Sequence, residues 1–80
     1  MMPMIIVFSS HAIKRLSERG LNKQMVLDTL SSPDKRYVKE GLDNAVKLFG
    51  NKALVVVFRK TGDVYFIITV IFTSKIRKYL

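Results

Sequence analysis

The chain has no cysteine, one histidine, two prolines, and only six acidic residues against fourteen lysines and arginines. Each scarcity removes a class of function. Without cysteine there is no disulfide framework, no thiolate metal site and no cysteine nucleophile. One histidine and six carboxylates are a poor basis for a dedicated zinc or calcium site, so neither a metal nor another cofactor is expected. The sequence also lacks a glycine-rich phosphate loop, a Ser–His–Asp set and paired carboxylates. Long apolar runs are missing too. Ala53–Phe58 and Val64–Phe72 are split by RKTGD, and neither reaches the roughly 18–20 residues of a membrane helix. The opening MMPMIIVF is apolar but short, with no basic flank and no small-residue cleavage site. A cytoplasmic protein without membrane association is expected.

What is present is a single small domain. An apolar fraction of 49% over 80 residues suffices for one core spanning 1–80, though a core of that size is marginal alone. The formal charge of +8 favours a polyanionic partner, nucleic acid or an acidic protein. A basic surface that merely keeps the chain soluble is the plainer alternative.

The patterning changes along the chain. Met4–Phe8 reads as a short first strand. Ser9 or Ser10 caps a helix through Gly20, with Ala12, Ile13 and Leu16 as its apolar stripe. Asn22 caps a second helix over Lys23–Leu30 that buries Val26, Leu27 and Leu30 and ends before Pro33. KRYVKE then alternates with period two, GLDN reads as a turn, and AVKLF as the next strand. GN signals a hairpin, and KALVVVFRK and VYFIITVIF flank TGD as a second one. The basic tail over 75–80 is open between fraying, a short helix and a continued strand. The fold class is α+β: two N-terminal helices packed on a mostly antiparallel sheet of four to five strands.

The chemistry-bearing residues begin with a row on the first helix. With His11 at zero, Arg15 lies at about 40° and Arg19 at about 80° on a helical wheel. The row borders the apolar stripe, where side chains can lean over a sheet edge and line a groove. A neutral His11 is a candidate general base, and the arginine forks can hold a phosphate. The same spacing also suits a plain solvated face. Lys14 adds a cation to this helix. Lys47 sits between apolar neighbours and either snorkels from an edge or points into a groove. Arg59 precedes a turn. Thr69 and Thr73 share a face of the last strand, as buried hydroxyls or as ligands. Lys75, Arg77, Lys78 and Tyr79 form the densest basic cluster with an aromatic, suited to backbone contacts and base stacking or to a plain tail.

FSSHAIKRLSERGL, followed by VLDTL and SPDK, resembles a family of small prokaryotic proteins whose first helix reads H-A-x-x-R-x-x-x-R. ITVIFTSK resembles that family's closing strand, with Phe72 where tyrosine is frequent. The resemblance spans about residues 8–75, and His11, Arg15, Arg19, Thr69, Thr73, Ser74 and Lys75 match its motifs. The family looks like a branch of the RelE/ParE-type toxins. That implies a RelE-like toxin fold and a basic toxin neutralised by an acidic antitoxin. It also implies metal-independent cleavage of RNA, often on the ribosome, although the ParE branch poisons gyrase instead.

On that implication His11 takes the ribose 2′-hydroxyl proton, and the oxygen attacks phosphorus to leave a 2′,3′-cyclic phosphate. Arg15, with Arg19 or Lys47, stabilises the phosphorane, and Lys75 protonates the leaving oxygen or holds the strand. Lys14, Lys47, Arg59, Thr73, Arg77, Lys78 and Tyr79 complete the nucleic-acid contacts. The alternative is a non-catalytic basic module that binds nucleic acid or an acidic protein. An exposed sheet edge would also allow a homodimer.

Overall fold

In the computed structural model, which describes residues 4–80, the chain runs β1 (Ile5–Phe8), α1 (Ser10–Glu18), α2 (Lys23–Ser31), β2 (Lys35–Lys39), β3 (Leu42–Phe49), β4 (Lys52–Thr61) and β5 (Val64–Thr73). A 3-10 turn over Ile76–Lys78 follows. The first residues of the apolar N-terminal run, 1–3, lie outside the described residues.

Three two-residue loops set the sheet. Lys39 pairs with Leu42, Phe49 with Lys52 and Thr61 with Val64, so Glu40–Gly41, Gly50–Asn51 and Gly62–Asp63 are the turns. Such tight loops need positive φ, because the primed turns match the twist of the strands. Gly50 (φ 65°) and Gly62 (φ 60°) supply it without strain, and Glu40 (φ 54°) supplies it against the preference of its Cβ. Glu40→Gly is therefore expected to raise stability by about 1 kcal/mol, read as a higher melting temperature. Unchanged or lower stability would contradict the strain.

The strand order is β1-β5-β4-β3-β2. All pairs are antiparallel except β1 with β5, which is parallel. The first strand thus closes one edge beside the last, and β2 forms the other. A bulge interrupts β4–β5: Val57 opposes Thr69 and Phe58 opposes Ile67, leaving Ile68 between them. Ser9 binds that irregular segment. Its N–H donates to the Ile67 carbonyl at 3.0 Å and its hydroxyl to the Ile68 carbonyl at 2.8 Å. The same hydroxyl oxygen accepts from Ala12 N–H at 3.0 Å and caps α1. One side chain therefore fixes both the sheet junction and the helix start.

Period-two alternation divides the sheet into two faces. Leu54, Val56 and Phe58 of β4, Ile67 and Val70 of β5, and Ala45 of β3 point toward the helices and meet Ala12, Leu16, Val26 and Leu30 in the main core. α1 lies over β5 and α2 over β3 and β4. Val46, Ala53 and Val55 point to the back face, where Tyr37, Ile76 and Tyr79 pack against them.

Two N-terminal helices on a mostly antiparallel sheet agree with the fold class read from the sequence, with five strands. Several boundaries differ. α1 ends at Glu18, with Arg19 as its cap rather than inside the helix, because Gly20 adopts φ 65° and breaks the helical path. Ile13 is 47% exposed, so the buried stripe is narrower than the sequence pattern. In α2 the fully buried partner of Val26 and Leu30 is Thr29, whose hydroxyl donates to the Met25 carbonyl at 2.8 Å. GLDN is not the turn: the reversal is Glu40–Gly41, and Leu42 already belongs to β3. No helix among the described residues is long and apolar enough to cross a membrane.

Candidate nucleic-acid interface

The largest basic cleft lies on the back face of the sheet, and β2 builds half of it. Because side chains alternate along a strand, KRYVK sends Lys35, Tyr37 and Lys39 to the back face and Arg36 and Val38 to the front. The C-terminal segment builds the other half. Thr73 Oγ1 accepts from the Lys75 N–H at 3.0 Å and turns the chain out of β5. Ile76 and Tyr79 then stand three residues apart, which places them on one side of a 3-10 turn. Both pack on Val46, Ala53 and Val55. Anchoring that side leaves Arg77 and Lys78 facing outward. The Lys35 ammonium donates to the Leu80 main-chain oxygen at 3.0 Å and ties the two halves together.

The resulting cleft holds about 420 Å³ and is lined by Lys35, Tyr37, Lys39, Arg77, Lys78, Tyr79 and Leu80. Four cations and two tyrosine rings share it, and none of its lining residues is acidic. Lys35 lies 5.9 Å from the Tyr37 ring centroid and Lys78 5.7 Å from that of Tyr79, within cation–π range. Burial, and then the neighbouring Tyr79 phenol, raise the pKa of Tyr37 above its ordinary 10.0. Tyr37 is therefore a neutral phenol through the physiological range, a hydrogen-bond donor and stacking surface rather than a base. The raised value favours the protonated ring in the folded state. Its contribution to stability is complete below pH 10 and is lost as pH rises through the higher folded value. Alkaline melting curves should show a steeper loss for wild type than for Tyr37→Phe. Parallel curves would contradict this linkage.

The residues singled out in the sequence fall in three places. Arg77, Lys78 and Tyr79 line the cleft. Thr73 and Lys75 do not line it; they set the turn that leads into the C-terminal segment. The helix row lies over the front of the sheet: His11, Lys14 and Arg19 are exposed, while Arg15 is half-buried with an Nε that is sealed from solvent and unpartnered. The structure does not bring Lys75 to this row, since the turn that Lys75 opens packs on the back face. None of the three principal clefts is lined by His11, Arg15 or Arg19.

Lys47 is on the front of β3, where its ammonium donates to the Ser32 carbonyl at 3.0 Å. Ser32 caps the C-terminus of α2, so the charge sits where the helix dipole is negative. Arg59 is exposed on the back face, paired with Phe66 and away from the cleft. Thr69 pairs with Val57 and is half-buried. Among the described residues no cluster of three or more potential metal-ligating side chains occurs.

Lys35, Tyr37 and Lys39 were missed as site residues by sequence reading. The signal was present in the alternation of KRYVK, but alternation alone does not say which face is open.

A family model described as "Domain of unknown function (DUF4258)" matches residues 8–72. No curated protein matches the chain significantly. No solved structure does either. The match includes the helix row and Lys35–Lys39 and stops short of Arg77–Tyr79. Since it covers most of the sequence, the chain belongs to the DUF4258 family.

Proposed function

We propose that the protein binds single-stranded nucleic acid, RNA foremost, in the back-face cleft. One observation carries this reading: four cations and two tyrosine rings line one open cleft that has no acidic residue. Cations beside stacking rings suit a strand whose phosphates and unpaired bases are both exposed, and the sheet is a rigid platform for them. Lys, Arg and a neutral Tyr supply charge, hydrogen-bond donors and stacking, but no base near neutrality. The cleft therefore fits binding better than cleavage. An acidic protein partner would compete for the same cations.

The toxin-type endoribonuclease is the second reading, supported by the RelE/ParE resemblance and by Arg15, whose buried Nε lacks a partner beside the exposed His11. Reaching that donor would require the Arg15 side chain to turn outward toward a phosphate on the helix row.

One experiment addresses both. Labelled single-stranded RNA is titrated with the protein at increasing salt, and the same mixtures are run on a denaturing gel. Binding that weakens steeply with salt over intact RNA is the expected result, because displaced counterions drive association. Salt-insensitive association would overturn it. Cleaved RNA that His11→Ala leaves whole would establish the nuclease instead.

A further inference from the structure

The basic cleft continues inward. A second recess of about 230 Å³ shares Tyr37, Lys39, Lys78 and Tyr79 with it, is floored by Leu42, Asn44, Val57 and Ile71, and has the carboxylate of Glu40 in its lining. The two tyrosines thus separate a cationic mouth from an apolar floor with room for one planar ring.

That floor contains one amide. Asn44 is 6% exposed and stands between Tyr37 of β2 and Val57 of β4 in the strand register. Its Nδ2 donates to the Leu42 carbonyl at 3.1 Å. A carbonyl only accepts, so this bond fixes which end of the amide is nitrogen. Among the described residues nothing donates to Oδ1, yet only Arg15 Nε is both sealed and unpartnered. Oδ1 is therefore an acceptor that a ligand in the recess can reach.

Resting on the nucleic-acid reading above, we infer that Asn44 is a specificity-determining residue that selects a base with an exocyclic amine over uracil. Phosphates sit at the Lys35–Arg77 mouth, the ring stacks at Tyr37 or Tyr79, and the amine donates to Oδ1. Cytosine presents that amine beside one ring acceptor, N3, and adenine between N1 and N7, and in both the amine projects beyond the ring nitrogens and can reach Oδ1. Uracil offers a single N–H flanked by two carbonyl oxygens, which face Oδ1 with like partial charge.

The test is fluorescence anisotropy on the full chain with short oligoadenylate, oligocytidylate and oligouridylate, and with an oligomer of purine riboside, which is adenosine without its amine. The expected result is adenylate and cytidylate binding about three- to tenfold tighter than uridylate, the worth of one hydrogen bond. Purine riboside should fall toward uridylate, and Asn44→Leu should level the series. The purine comparison needs no variant, so it stands even if Asn44→Leu misfolds. Purine riboside binding as tightly as adenylate would overturn the inference while leaving the nucleic-acid reading in place. Failure of every oligomer to bind would overturn both.

Discussion

Replacing Lys35, Lys39, Arg77 and Lys78 together by glutamine should remove most of the affinity for single-stranded RNA and flatten its salt dependence. Each phosphate neutralised on a single strand contributes about 0.7 to the slope of log affinity against log salt. Four lost contacts should lower that slope by up to about 3. The four side chains end in the same cleft, so the effect is one of position as well as of charge. A control variant separates the two. Replacing Lys14, Lys23, Lys52 and Lys60 by glutamine removes the same charge from positions that do not line the cleft. Local recognition requires the control to keep its slope nearly intact. Equal losses in both variants would mean that net charge alone holds the strand, and would remove the cleft as a site.

The second large effect is on stability. Phe58→Ala should cost about 3–5 kcal/mol, the usual range for an aromatic removed from a core. Phe58 is 1% exposed and the bulkiest fully buried side chain. It packs beside the β4–β5 bulge, with the Tyr65 ring 5.6 Å away and the Arg36 guanidinium 5.7 Å from its centroid. A chain of this length has about 4–12 kcal/mol in total. The variant should therefore melt at least about 12 °C lower or fail to fold. Phe66, its neighbour on β5, is 42% exposed and faces the other way, so Phe66→Ala should shift melting far less. Similar losses for the two would contradict the assignment of faces.

The contrast between these two phenylalanines shows what a sequence conceals. VYFIITVIF is apolar apart from Thr69, and no alternation within it marks an inner and an outer face. The bulge at Ile68 also resets the phase in mid-strand, so counting by twos from Val64 does not give the orientation of Val70. β2 is the opposite case. KRYVK alternates cleanly, and its strand character was legible, yet its functional face depended on which side the C-terminal turn would cover.

Local chemistry wrote much of this molecule directly into its sequence. Ser9 and Asn22 have the short oxygen side chains that bind the free N–H groups of a helix start, and both do so. Gly50 and Gly62 permit the positive φ of tight turns, and both turns form there. These interactions reach only a few residues, so the chain specifies them alone. The parallel docking of β1 on β5 joins residues about sixty positions apart, and the cleft joins Lys35 to Leu80. Nothing local encodes such neighbours. They follow from burying both faces of one five-stranded sheet, the front under α1 and α2 and part of the back under Ile76 and Tyr79. The sequence by itself determined the elements, the turns and the excess of positive charge. Only the tertiary structure decided which of those charges face the same space, because that depends on packing the whole sheet at once.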